Sequence, residues 1–174
     1  MFWALRGGGG CTYGIVISAT YQTHPIFPLT TAVITANFTS PAIALNVTTE
    51  FIKFHANISA AGWGGQVTPS NLSFTFTSVA PNVSWADTNT TFLPFAQYVT
   101  EATGGLVEVS TTPFNSFYEL YQMFLVNALD PNLPDVLRLE FASRFLPLSL
   151  VEMDPAQAAK IILSLSSAGG VNVK

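Results

Sequence analysis

The hydrophobic pattern of this chain changes period along its length, from a two-residue alternation to a helical repeat and back. The segment 72–77, Leu-Ser-Phe-Thr-Phe-Thr, alternates strictly, which is typical of a strand with one buried face. A helical repeat closed by Gly62 precedes that strand, and it is formed by Val47, Phe51, Phe54, Ile58 and Ala61. Because both periods occur in one chain of 174 residues, the pattern indicates a single mixed domain.

The remaining segments follow the same two patterns. We predict strands over 13–21, 31–39, 65–68, 72–77, 106–109 and 136–145. We predict helices over 47–61, from about Asp87 to a stop at 104–105, over 114–126, and from the N-cap Asp154 to a stop at 169–170. Strands that occur in pairs between helices favour hairpins over parallel crossovers. The expected fold is therefore α+β, an antiparallel sheet with helices packed on one face.

Charge is scarce, and its scarcity excludes some functions. Only 9% of residues are charged and only six are Lys or Arg, with a net charge of −4. No basic stripe is available to neutralise phosphates, so we expect no nucleic-acid partner. The interval 7–49 carries no charge, but prolines and polar residues interrupt it well before the length that a membrane helix needs. We therefore expect no membrane span.

Glycosylation sequons give the strongest indication of compartment. Six of the ten asparagines begin an Asn-x-Ser/Thr sequon, namely Asn37, Asn46, Asn57, Asn71, Asn82 and Asn89. A chain with 19% Ser and Thr produces about two by chance, so either the sequons are accidents of composition or the chain enters the secretory pathway. The segment 1–6 is no signal peptide, so we expect a secreted protein whose N-terminus lies upstream. Cys11 is the single cysteine and fits either compartment.

Four consecutive glycines at 7–10 are the segment whose composition most requires explanation. Glycine allows positive φ and close approach to a ligand, and successive N–H groups can hold an anion such as a pyrophosphate. The segment matches neither G-x-G-x-x-G, because Thr12 and Tyr13 stand where a third glycine is required, nor a P-loop. A plain flexible turn before a strand remains the alternative.

The residues around the glycines closely resemble a known family. The run Phe-Trp-Ala-Leu-Arg-Gly-Gly-Gly-Gly-Cys-Thr-Tyr-Gly-Ile-Val at 2–16, continuing through 19–25, is similar to the end of the FAD-binding domain in PCMH-type FAD-linked oxidoreductases, the relatives of berberine bridge enzyme and glucooligosaccharide oxidase. The segments 114–121 and 143–147 resemble the substrate domain of that family more loosely.

This resemblance implies a division of the chain and a set of cofactor contacts. It implies that 1–28 is the C-terminal end of an FAD-binding domain, including its terminal strand, and that 29–174 is part of a substrate-binding domain. The implied FAD-contact residues are Gly7, Gly8, Gly9, Gly10, Gly14, Ile15 and Val16. Cys11 departs from the small residues usual at its position and slightly weakens the assignment there.

The implied activity belongs to a parent protein. That parent is a secreted FAD-dependent oxidase that converts an alcohol or saccharide carbon with O2 as acceptor, giving H2O2. The family's covalent flavin anchor and its tyrosine-bearing motif lie outside this chain, so we expect the 174 residues alone to be inactive and to retain no FAD. The alternative is a non-catalytic secreted glycoprotein or binding module that reuses the fold.

No catalytic residue is assigned from the sequence. His24 and His55 lack companion ligands, so we expect no metal site. Three carboxylates could act as a base, but solvated or capping roles are the simpler interpretation for Glu108, Glu119 and Glu140. Tyr118 and Tyr121, three residues apart on one helix face, are interpreted as core packing rather than as a sugar platform.

Overall fold

The computed structural model describes residues 15, 17–126 and 146–167 of the chain. Within them the order is β1 (Leu29–Asn37), α1 (Pro41–Ala60), β2 (Gly64–Pro69), β3 (Ser73–Pro81), α2 (Trp85–Thr103), β4 (Val107–Phe114), α3 (Phe117–Tyr121), α4 (Leu148–Met153) and α5 (Pro155–Ser167). A π-helical turn, Gln122–Val126, continues directly from α3. The elements form one α+β unit, as the sequence predicted.

The four strands form one antiparallel sheet in the order β2-β3-β1-β4. The first strand is therefore central, with Ile34 opposite Phe76 on one side and opposite Val109 on the other. In the outer pair, Gly65 lies opposite Ser78, where an added Cβ would lie 2.3 Å from the Thr77 carbonyl oxygen. A side chain at position 65 would therefore push β2 away from β3.

The hydrophobic core lies between one face of this sheet and the helices. The ring of Phe51 on α1 lies 5.3 Å from that of Phe74 and 4.8 Å from that of Phe76, both on β3. The ring of Phe95 on α2 joins them at 5.7 Å from Phe51. Edge-to-face rings at such distances add to the gain from burial, and they fix both long helices on the same side of the sheet.

The ends of the helices follow local capping chemistry. Ser40 precedes Pro41 and its Oγ accepts a bond from the Ile43 N–H, so α1 begins six residues before the apolar repeat that predicted it. Ser84 caps α2 close to the predicted Asp87, and Gly104 ends it with φ of 66°. Asp154 caps α5 as predicted, through the Gln157 N–H at 2.9 Å.

Several predicted elements differ from the structure. The predicted strand 13–21 is wrong over its described residues, since 15 and 17–21 form no strand and are exposed. An isolated strand has no ladder to satisfy its backbone, so the β-branched composition did not suffice. The strand over 106–109 extends to Phe114, and the short helix α4 was missed. The predicted strand 136–145 and the predicted stop at 169–170 lie outside the described residues.

In the part of the chain that the structure describes, no helix is long and apolar enough to cross a membrane.

Candidate functional site

The second face of the sheet, turned away from α1 and α2, carries mostly hydroxyl side chains. Directly paired residues in an antiparallel ladder point to the same side, so the register identifies this face. We call it the hydroxyl face; its members are Thr31, Val33, Thr35, Asn37, Gln66, Thr68, Ser73, Thr75, Thr77, Val79, Glu108, Ser110 and Thr112, with Leu29, Gly64, Pro81 and Phe114 at the strand ends. Most of them are half-buried or exposed. Hydroxyls that can both donate and accept thus cover a surface with almost no charge.

An open concavity of about 560 Å³ lies over the hydroxyl face. Its floor is formed by β1, β2 and β3, and Leu120 and Phe124 form a wall on one side. The volume lies within the range of about 300–1,000 Å³ typical of small-molecule sites, which combine apolar walls with a few placed polar groups. The concavity can therefore accept a small neutral ligand.

The aromatic wall is built on α3 and its π-helical turn. Ser116 caps α3 by accepting from the Glu119 N–H, and the Glu119 carboxylate in turn accepts from the Asn115 N–H at 2.8 Å. This reciprocal cap confirms the interpretation of Glu119 as a capping carboxylate. Phe124 packs edge-on against Phe114 with ring centroids 6.1 Å apart, which fixes the π turn beside the end of β4.

The two tyrosines of α3 correct the prediction that they pack in the core. Tyr118 is 67% exposed and Tyr121 is 38% exposed, and their rings stack with an interplanar angle of 22° and centroids 6.4 Å apart. The short helix has no partner element over this surface among the described residues, so its aromatic face stays in solvent. The stacked pair instead forms an exposed aromatic platform on α3, the element that also supplies Leu120 to the concavity.

Glu108 is the carboxylate of the hydroxyl face in the part of the chain that the structure describes. It lies on β4 directly opposite Thr35 and is exposed. The sequence had listed it as one of three candidate bases. Glu119 is occupied in its cap, and Glu140 lies outside the described residues, so Glu108 is the one of the three that the described fold places beside the hydroxyls.

A second cavity, of about 390 Å³, lies on the helix side of the sheet between α1, β2 and the C-terminal helices. Its walls are mainly apolar, including Trp63, Val67 and Ile162, and His55 lies among the lining residues. The His55 ring lies at the exposed surface of α1, tilted by 50° against the ring of Phe51 with the centroids 5.7 Å apart. No group of three or more potential metal ligands occurs among the described residues.

The predicted flavin-contact strip is almost wholly outside the described part of the chain, namely Gly7, Gly8, Gly9, Gly10, Gly14 and Val16. Ile15 is described and is 93% exposed, and residues 17–28 are exposed throughout.

The sequence analysis missed the hydroxyl face, although a signal for it was present. Val33 and Thr35 alternate with buried residues in β1, and Thr75 and Thr77 alternate with phenylalanines in β3. The abundance of Thr was interpreted only through sequons and solubility. This alternation separates the two faces of each strand, although it does not reveal which strands pair.

The fold occurs in a known class of flavoprotein. The crystal structure of the VAO-type flavoprotein MtVAO615 from Myceliophthora thermophila C1 matches 92% of this chain and 29% of that chain, with a TM-score of 0.63 and 20% sequence identity. At that identity the likeness shows the fold alone, which is that of a VAO-type flavoprotein.

Sequence relatives agree with the fold. The chain is 35% identical over 130 residues to the FAD-linked oxidoreductase OXR2 of Pyricularia oryzae, a match that covers 72% of this chain and 20% of that protein. It is 26% identical over 178 residues to the FAD-linked oxidoreductase patO of Aspergillus clavatus, covering 99% of this chain and 30% of that protein. No protein-family model matches.

The chain belongs to the PCMH-type FAD-linked oxidoreductases, as its motif indicated. It spans about a fifth of the length of OXR2.

Proposed function

We propose that the protein is an FAD-dependent oxidoreductase that oxidises an alcohol or saccharide carbon and uses O2 as the final acceptor. In balanced form, the alcohol carbon loses a hydride and its hydroxyl loses a proton, giving a carbonyl, while O2 gains both and becomes H2O2. The names of the similar proteins support FAD and an oxidoreductase activity. The substrate class is argued from the chemistry of the hydroxyl face.

The hydroxyl face is the observation that carries the proposal. Threonine and serine hydroxyls recognise neutral hydroxyl groups by donating and accepting hydrogen bonds in turn. Thr35, Thr75 and Thr77 lie on adjacent strands of that face, and α3, which carries the exposed and stacked Tyr118–Tyr121 pair, also supplies Leu120 to the concavity. Aromatic side chains offer a rigid apolar surface with a polar tip, which suits a molecule with both C–H and O–H faces. An alcohol or a saccharide fits this combination.

The chemistry of the hydroxyl face is also compatible with FAD bound over it, on the side of the sheet away from α1 and α2. The described residues that line the concavity carry no charge, and Glu108 lies outside that lining on β4, so the concavity can cover a planar ring and a substrate without an opposing charge. When bound, FAD supplies the acceptor for the substrate's hydride. The residues that would hold FAD by backbone atoms are those of the strip at 7–16.

Glu108 has the chemistry to hold the substrate hydroxyl and receive its proton. Its carboxylate is exposed on β4 beside Thr35 and Ser110. A positioned carboxylate that accepts a proton in the transition state contributes about 10²–10⁴-fold to rate in general acid–base catalysis. We assign that role to Glu108.

The division of the chain follows from the same reasoning. Residues 17–28 are exposed, and the chain joins the sheet at Pro28, whose carbonyl accepts from the Asn82 N–H at 2.8 Å. We propose that 1–28 ends the FAD-binding domain and that 29–174 belongs to the substrate-binding domain.

The test is a flavin spectrum and an activity screen on the full-length protein. We expect a flavin absorption spectrum, and release of H2O2 with at least one member of a panel of primary alcohols, monosaccharides and oligosaccharides. A protein that lacks flavin would contradict the proposal and favour the non-catalytic binding module. A flavin that the panel leaves oxidised under anaerobic conditions would contradict the substrate class and leave the flavin assignment intact.

We further propose that the protein is secreted. Support comes from the six sequons, of which Asn37, Asn46, Asn57 and Asn82 have exposed side chains. A protein with 9% charged residues gains solubility from glycans. Recovery from the culture medium of a fungal host, under its native gene, tests this; retention inside the cell would contradict it.

A further inference from the structure

The outward face of α1 forms a narrow polar stripe. Asn46, Glu50, Lys53 and Asn57 recur at i, i+4, i+7 and i+11, which places them in one row along the helix. The row lies opposite the buried side of α1, where Val47, Thr48, Phe51, Ile52 and Ile58 contact the interior. The middle of the row is an ion pair, with Lys53 Nζ 3.1 Å from Glu50 Oε2. The two asparagines flank that pair about 16 Å apart along the axis.

Both asparagines begin sequons and both are exposed, but the two sequons differ in their third residue. Ser59 of the second sequon is exposed. Thr48 of the first is 1% exposed, and its Oγ1 is buried without a hydrogen-bond partner among the described residues. A buried hydroxyl that has lost water without gaining a partner destabilises the fold.

Thr48 is exceptional among the threonines of the described helices. Each of the others donates a hydrogen bond from its hydroxyl to the carbonyl oxygen four residues earlier. They are Thr49, Thr88, Thr90, Thr91, Thr100 and Thr103. Thr48 is 1% exposed and lines the cavity of about 390 Å³, and valine has the same branched shape without a polar atom. The fold thus explains the shape of Thr48 but not its hydroxyl.

We propose that Asn46 and Asn57 carry N-linked glycans, and that the Thr48 hydroxyl is present to complete the Asn46 sequon. The outward face of α1 is then a permanent solvent face of the whole protein, because a glycan is bulky and hydrated. Since Thr48 is buried once α1 has packed, the Asn46 sequon is available only before the chain folds. This inference rests on the proposed secretion.

Asn89 provides the contrast within the same chain. It also begins a sequon, but it is half-buried on α2, and its Oδ1 accepts from Thr111 Oγ1 of β4 at 2.9 Å. A glycan added to Asn89 before folding would prevent the contact between α2 and β4, so chains modified there should fold poorly and we expect Asn89 to be unmodified in the secreted protein. The described register places one sequon asparagine on the hydroxyl face, Asn37, which lies opposite Ser73 at the end of β1 and is not among the residues that line the concavity.

The experiment maps glycans on the full-length protein secreted from a fungal host, by peptide mass spectrometry and by gel mobility before and after N-glycosidase. We expect glycans at Asn46 and Asn57 and none at Asn89. Thr48→Val and Asn57→Gln should each raise mobility by one glycan step, while Thr48→Ser and Asn89→Gln should leave it unchanged. After deglycosylation, Thr48→Val should have the Tm of the parent protein or a higher one.

Other outcomes separate this inference from the proposals on which it depends. Secreted protein that is unmodified at Asn46 or Asn57 overturns the glycan assignment. A lower Tm for deglycosylated Thr48→Val overturns the role given to the hydroxyl, because the hydroxyl would then have a structural partner. Protein that stays in the cell without glycans overturns secretion as well, whereas the flavin spectrum of the same sample tests the oxidoreductase independently.

Discussion

The two faces of the sheet are made from alternate residues of the same strands, yet their chemistry is opposite. On β3, Phe74 and Phe76 are buried against the helices, while Thr75 and Thr77 lie on the hydroxyl face. On β1, Ala32, Ile34 and Ala36 have no exposed surface at all. One face is therefore filled by packed rings, and the other is lined by hydrogen-bonding groups beneath an open concavity.

Residues that stabilise the fold and residues that face a ligand therefore alternate along the same strands. Substitutions on the helix side should change the free energy of unfolding, because they open cavities in close-packed surroundings. Substitutions on the hydroxyl face should change ligand binding or turnover and leave unfolding nearly unaffected, because half-exposed hydroxyls contribute little to stability. Adjacent residues on one strand thus provide matched tests.

The largest expected effect concerns the hydroxyl face without its covering domain. We expect the 174-residue chain, mixed with excess FAD and desalted, to retain essentially none, because a ligand of that size needs most of its surface buried and this face is open. The flavin spectrum after desalting measures it, with the full-length protein as control. One flavin retained per chain would show that the face and the strip at 7–16 suffice.

Phe74→Ala tests the helix side. Phe74 is fully buried against the rings of Phe51 and Phe95, so its truncation should destabilise the protein by about 3–5 kcal/mol. Urea unfolding monitored by circular dichroism gives the value. The matched control is its neighbour, Thr75→Val, for which we expect a change within about 0.5 kcal/mol. Equal effects from the two substitutions would refute the separation of the faces.

Glu108→Gln tests the chemistry assigned to the hydroxyl face. We expect kcat of the full-length protein to fall by about 100-fold or more, with the flavin spectrum and the unfolding curve unchanged. Glu101→Gln, on the exposed surface of α2, is the control and should leave kcat unaltered. If the two variants have the same kcat, Glu108 does not take the proton.

Thr77→Val has the smallest expected effect. Removing one hydrogen bond to a neutral substrate should raise KM by about 2–10-fold, which corresponds to about 0.5–1.5 kcal/mol. Thr100→Val on α2, whose hydroxyl bonds only to its own helix at Ala96, serves as control. Steady-state kinetics on the best substrate of the panel decides; an unchanged KM for Thr77→Val would place the substrate elsewhere.

Much of the fold could be predicted from periodicity and capping residues. The alternation at 72–77 and the helical repeat ending at Gly62 specify their elements directly, because each period buries a single face. The capping residues Ser84 and Asp154 fix helix starts by chemistry that is local in sequence. The segment 13–21 failed because strand formation depends on a partner elsewhere in the chain, which local composition does not reveal.

Less of the candidate site than of the fold could be predicted from the sequence. The hydroxyl face depends on the pairing of β1 with both β3 and β4, whose contacting residues are far apart in the chain, so no local motif marks it. The tyrosines of α3 were assigned to the core because their spacing fits a helix face, although no described element covers that face and it is exposed. The motif at 2–16, by contrast, identified the family from local sequence alone.

The central place of β1 has a consequence for how the chain folds during synthesis. Its second neighbour, β4, is distant in sequence: Thr31 donates to the carbonyl of Thr112, 81 residues later. At a synthesis rate of about 5–20 residues per second, roughly 4–16 s separate the emergence of these two strands. During that interval β1 can pair with β3 but keeps its other edge open, and such an edge is a template for wrong pairing with other chains. Non-local pairing of this kind also slows folding, so the pairing of β4 with β1 should limit the rate at which the sheet is completed.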